Sequence, residues 1–242
     1  MEKKPSSKID KALNLDYYRE DEIWLTSQNT LRKLVGILGV CLPLLLFGVV
    51  WIDAGYTSPL NSISHYYFTR ASSIFIIIVS LLAIFLLIYK GKERIDFYFS
   101  SIAGLFALSL VLFPTSNISG ICHDEKHAYS VTIFRDNSFR VIFHYISAAI
   151  FLSCLAFMSL FLFTKSDKPV NQRSSEKKIR NRIFRTCGVI MTLAILVVLA
   201  GALGLIPDKY FSDYNLTFWM ETVAIESFGI SWLIKAEVIL KG

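Results

Sequence analysis

Residues 34–52 read LVGILGVCLPLLLFGVVWI, nineteen positions without one Asp, Glu, Lys or Arg. Coiled as a helix at about 1.5 Å per residue, such a run covers roughly the ~30 Å hydrocarbon core of a bilayer. Four more runs share the property, at residues 71–89, 97–122, 141–164 and 186–207, the third ending in polar sequence. A sixth, about 217–240, is equally apolar except for Glu221, Glu226, Lys235 and Glu237. Alternation on the scale of a strand is absent. An unpaired backbone amide in lipid costs several kcal/mol, so runs of this kind must be helical. The expected fold is all-α, an integral membrane bundle of six transmembrane helices over residues 34–240, preceded by a segment at 1–33.

The composition agrees. Of 242 residues, 54% are hydrophobic and 18% charged, and the mean hydropathy is +0.51; soluble domains carry about 25% charged residues. This excludes a disordered chain, a disulfide-stapled secreted domain and an ordinary water-soluble enzyme. Twenty of the 25 Lys and Arg precede the first run, sit in the second and fourth connections, or lie at the C-terminal end (Lys235 and Lys241). Arg70, Lys126, Arg135, Arg140 and Lys209 fall on the other side. Positive charge collects in cytoplasmic loops, which places both termini in the cytoplasm. The net charge of +6 is thus a sign of topology. Its expected partners are membrane lipids, through anionic headgroups, and no nucleic acid.

No cleavable leader is expected in the polar first 33 residues. Residues 13–24 read either as an amphipathic helix lying on the inner surface, with Trp24 as anchor, or as a mobile tail. Cys41, Cys154 and Cys187 fall within the runs and Cys122 in an outer connection, so no disulfide is expected. Spacings such as Gly201 with Gly204 and Ser227 with Ser231 suit packing within one subunit, while a homo-oligomer stays open.

Ionisable groups inside a bilayer cost about 2.5–3.5 kcal/mol each on insertion scales, so each one calls for an explanation. With the sixth helix running inward, Glu221 lies about a turn below the outer edge and Glu226 near the midplane. Five residues is about 140° of helix rotation, so the two carboxylates cannot share a face as an acid–base dyad. Glu226 is expected to be neutral or to face a polar interior. Two readings stay open for it, a hydrogen bond to another helix and a functional role. His144 and Asp53 enter at the depth of Glu221.

The first outer connection carries Ser62, Ser64, His65, Tyr66, Tyr67, Thr69 and Arg70 within nine residues. That density reads either as an interfacial aromatic belt or as a re-entrant, lid-like loop, with Arg70 recognising an anionic group. The third connection, on the outer side, holds Cys122-His-Asp-Glu-Lys-His127, whose spacing matches no structural zinc pattern. No metal and no cofactor is expected.

Three stretches carry a resemblance. Ser62-Ile-Ser-His-Tyr-Tyr-Phe-Thr69 resembles an S-I-S-x-Y-Y-x-T signature, and Glu226-Ser-Phe-Gly-Ile-Ser-Trp-Leu-Ile-Lys235 an E-x-F-G-x-S-W-L-x-K signature. With Phe143-His-Tyr-Ile-Ser-Ala-Ala149, they resemble an uncharacterised family of bacterial multi-pass membrane proteins over nearly the whole chain; Ala236 stands where that pattern has glycine. The resemblance implies a bacterial inner (plasma) membrane and carries no activity. In layout the chain also resembles the autophagy-modulator-like superfamily.

The function expected is non-enzymatic binding of a lipid headgroup or small ligand in an outward-facing polar pocket. Its candidate residues are Asp53, Ser62, Ser64, His65, Tyr66, Tyr67, Arg70, His144, Glu221 and Glu226. Two alternatives stay open: a membrane-embedded lipid hydrolase with a histidine-bound metal, and a proton- or cation-coupled transporter using Glu226.

Overall fold

A computed structural model describes residues 28–91, 93–118, 130–135, 137–166, 169 and 172–238. Residues 13–24 and the Cys122–His127 stretch lie outside the described residues. Among the described residues six long helices follow one another: α1 Gln28–Ala54, α2 Ser72–Ile88, α3 Arg94–Leu112, α4 Ser138–Phe157, α5 Ser175–Ala202 and α6 Leu216–Lys235. A 3₁₀ helix, Ile63–Phe68, lies between α1 and α2, a π-helical stretch, Met158–Leu162, prolongs α4, and a single turn, Lys209–Asp213, precedes α6. Among the described residues there is no strand, only an isolated antiparallel bridge between Thr69 and Ser130.

Among the described residues four helices are long and apolar enough to cross a membrane: α1, α3, α4 with its π-helical extension, and α5. α2 is apolar but has 17 residues, and α6 carries Glu221 and Glu226. Sequence explains where the helices stop. α3 ends ten residues before the charge-free run does, because Phe113 precedes Pro114 and is held out of the helical region, at φ −122° and ψ 78°. α5 begins eleven residues before its apolar run. Ser174 caps it, accepting from the Lys177 amide at 3.2 Å, and the basic stretch forms an amphipathic turn, Asn181 and Phe184 inward and Arg182 and Arg185 outward. α1 likewise takes in the last six residues of the segment expected at 1–33.

Each helix packs against the next in chain order, and α6 closes the ring by packing extensively against both α5 and α1. One stripe of α1 (Val35, Leu42, Leu46, Val50) points inward at spacings of seven and four. The α1–α6 contact is made by glycines. A Cβ on Gly229 would come within 2.8 Å of the Gly36 carbonyl oxygen, and one on Gly39 within 3.3 Å of the Gly229 Cα. The α2–α3 contact is similar, since a Cβ on Gly104 would meet the Ala83 carbonyl at 2.7 Å. Close approach of small residues is how helices associate where no hydrophobic force separates a neighbouring helix from lipid. Ser227 and Ser231 also pack internally, Ser231 accepting from Ser159 of the π-helical stretch at 3.2 Å. Leu44, Ile52, Ile77, Leu105, Leu112, Leu193 and Leu199 stand exposed around the wall of the ring, a belt too apolar for a protein surrounded by water.

Candidate functional site

The connection between α1 and α2 does not loop away from the bundle. It folds down into the end of the ring where α1 finishes and α6 begins. Leu60, Ile63, Tyr66, Phe68 and Thr69 are all buried. Most of its polar groups serve its own backbone. Thr69 Oγ1 donates to the Tyr66 carbonyl at 2.9 Å and accepts from the Ala71 amide at 3.1 Å. The Tyr66 hydroxyl accepts from the Leu60 amide at 3.3 Å. Burial pushes Tyr66 up to about 12, so the hydroxyl stays neutral. Tyr67 packs its ring against Phe68, Phe75 and Phe134.

Two hydrogen bonds tie this connection to the last helix. The Ile63 amide donates to Glu221 Oε2 at 2.7 Å, and the Phe218 amide donates to the Asn61 carbonyl at 3.0 Å. The second satisfies one of the amides that a helix N-terminus leaves open. The first explains why an acid stands one turn inside α6: its carboxylate holds the amide of a segment nearly 160 residues earlier in the chain. The neighbouring connection adds a clasp on the other side, the Val131 amide donating to the Phe68 carbonyl at 2.8 Å.

Two histidines approach each other here. His65 shares a 2.8 Å hydrogen bond with Ser62 Oγ through Nδ1. Burial, with a smaller contribution from His144, pushes its pKa down to about 4. His144 is buried on α4 and meets the Phe113 carbonyl through Nδ1 at 2.8 Å. A carbonyl only accepts, so Nδ1 carries the proton.

The expected site residues thus divide. Ser62, His65 and His144 form one polar neighbourhood. Ser64 and Glu221 line a second, with Ile63, at the top of an apolar cavity of about 40 Å³ that runs down the inside of the ring past Phe75, Leu82 and Phe228. That volume holds about one water molecule. Asp53 and Arg70 face each other at 3.6 Å on the rim, with side chains 45% and 66% exposed. Tyr66 and Tyr67 are packing groups. Glu226 stands apart, half-buried on the stripe of α6 that bears exposed Trp219, Val223 and Ile230, and it has no hydrogen-bond or ion-pair partner among the described residues. The small and hydroxylic residues around it in sequence face the helices instead. Among the described residues no three His, Cys, Asp or Glu side chains converge as a metal site would require.

The sequence does not reveal the Asn61 carbonyl, the Ile63 amide or the Phe113 carbonyl as partners. They are backbone groups, which carry no residue signature; the only hint was the cost of burying Glu221 and His144. No protein-family model, curated protein or solved structure matches the chain.

Proposed function

We propose that the chain is a six-span protein of a bacterial inner membrane, both termini cytoplasmic, that binds a lipid headgroup or small ligand at its outer end without chemical turnover. The segregation of Lys and Arg supports the orientation. The closed ring supports counting α2 and α6 as spans, since each is flanked by helices long enough to cross. α2 is about 25 Å long at 1.5 Å per residue, and the buried 3₁₀ helix before it fills the remaining depth.

The observation that carries the reading is the 2.7 Å bond from the Ile63 amide to Glu221, which holds the first connection over the cavity as a lid. Beneath the closed lid there is room for about one water, so the headgroup is read at the rim. There Arg70 pairs, among the described residues, with an exposed carboxylate, Asp53, and exposed pairs contribute no more than about 1 kcal/mol. An anionic headgroup takes the place of Asp53 at Arg70 and is felt by the lid that begins seven residues earlier.

Hydrogen exchange across residues 60–71, in nanodiscs of phosphatidylcholine with and without phosphatidylglycerol, tests this. Phosphatidylglycerol should slow exchange there several-fold, and Arg70→Gln should remove the difference. Equal exchange in the two bilayers would reject the outer site.

A further inference from the structure

At the other, cytoplasmic end of the ring a second cavity, of about 300 Å³, opens between α1, α3, α5, α6 and the chain that follows the π-helical stretch. This is the lower edge of the size range of small-molecule sites, about 300–1,000 Å³. Its floor is apolar, formed by Met158, Leu162, Phe163, Phe184 and Ile234. Its walls are cationic. Arg32, Lys165, Lys177, Arg180 and Lys235 line it, against two carboxylates, Asp96 and Glu237.

The five cations come from four separate stretches of chain: α1, the segment after α4, the first turns of α5 and the last turn of α6. No sequence cluster gathers them; the closure of the ring does. The two carboxylates are already engaged. Asp96 lies 3.5 Å from Lys165, which also meets Glu93 at 2.7 Å, and Glu237 lies 2.8 Å from Arg180. Burial opposes the charge on Lys165, but the hydrogen bond to Glu93 and the nearby Asp96 overcome it, and its pKa stands above the ordinary value. Aromatic rings face the other cations, and Lys177 also donates to the Phe163 carbonyl at 3.3 Å. Lys177 Nζ is 6.0 Å from the Phe184 ring centre, Lys235 Nζ 5.4 Å from that of Phe163, and the Arg32 guanidinium 5.9 Å from that of Tyr89. Like charges collected around one cavity repel, and a multiply charged anion inside it relieves that repulsion.

We propose that this inner cavity binds a phosphate group, presented by an anionic phospholipid of the inner leaflet or by a soluble phosphate ester. A tetrahedral oxyanion offers several acceptors to donors on different walls, as guanidinium forks and lysine ammonium groups require. The apolar floor accommodates the carbon skeleton that an ester carries.

The test uses the full chain in nanodiscs in the Arg70→Gln background, which removes the outer contact. Thermal midpoints are titrated with phosphatidylglycerol in one arm and with inorganic pyrophosphate in a phosphatidylcholine bilayer in the other. At least one source should raise the midpoint, and which one does identifies the physiological class. K177Q/K235Q should weaken that apparent affinity at least about tenfold, and K177R/K235R should keep it. R182Q/R185Q, which removes equal charge from the outward face of α5, should leave it unchanged. Should the double glutamine variant fail to fold, K235Q alone is read by the same affinity ratio. The proposal is overturned if neither source raises the midpoint, if the cavity variants bind as the parent does, or if R182Q/R185Q weakens binding as much as they do.

Discussion

Glu221 accepts an amide proton from a segment that would otherwise leave that donor buried and unpaired. Glu221→Leu should therefore lower stability by about 1–3 kcal/mol, the cost of an orphaned buried donor. Glu221→Gln keeps a carbonyl oxygen at the same place and should retain most of it. Thermal unfolding of the two variants in detergent separates them; equal losses would mean that the carboxylate acts through charge and not as an acceptor. His65 makes a pH-dependent contribution whose sign follows from its environment. Its folded pKa, about 4, lies below the unfolded value of 6.5, so the unfolded chain binds the extra proton first. The favourable difference is complete above about pH 6.5, is lost as pH falls towards 4, and changes no further below that. By pH 5 the loss should be about 1–2 kcal/mol. His65→Asn should flatten the fall in thermal midpoint between pH 7 and 5 relative to the parent, and an unchanged slope would refute this assignment.

The helices meet where they have no side chains to separate them. Gly229 and Gly36 bring the α6 and α1 backbones into contact, and a Cβ on Gly229 would strike the Gly36 carbonyl oxygen and the Val40 amide, which cannot turn aside, as well as the Val40 side chain. Gly229→Val should cost at least about 1–3 kcal/mol, because over-packing against backbone forces the two helices apart. Gly48 lies on the same helix as Gly36 with open space around it, so Gly48→Val should stay within about 0.5 kcal/mol of the parent. The difference between the two thermal midpoints measures how much of the ring closure rests on that crossing. α6 is also the element that joins the two ends of the molecule. Its first turns receive the lid, and its last turn brings Lys235 to the inner cavity.

At the scale of the whole molecule the two ends differ in kind. The end assigned to the outside is closed by a folded connection over about 40 Å³; the end assigned to the cytoplasm opens a cationic cavity of about 300 Å³. The orientation assigned to them has a direct check. In a background lacking the native cysteines, Ser212→Cys, in the single turn before α6, should react with an impermeant maleimide on intact cells. Lys178→Cys, near the start of α5, should react only after the membrane is opened. The reverse pattern would invert the molecule and place the basic cavity outside.

How much could be read from the chain follows from the range of the forces involved. Helical class and the approximate position of every long helix were legible because both depend on local hydropathy and on backbone amides that lipid cannot satisfy. The cost of burying Glu221 and His144 was legible too, and it pointed to the right end of the molecule. Their partners were not, because the Ile63 amide and the Phe113 carbonyl are backbone groups brought near by tertiary contact. Depth along a helix carries no lateral position: Asp53, His144 and Glu221 are expected at one level, and each binds a different neighbour. The inner cavity was hidden for the same reason. Its cations stand up to some two hundred residues apart in the chain, and only the closure of α6 against α1 and α5 sets them around one space.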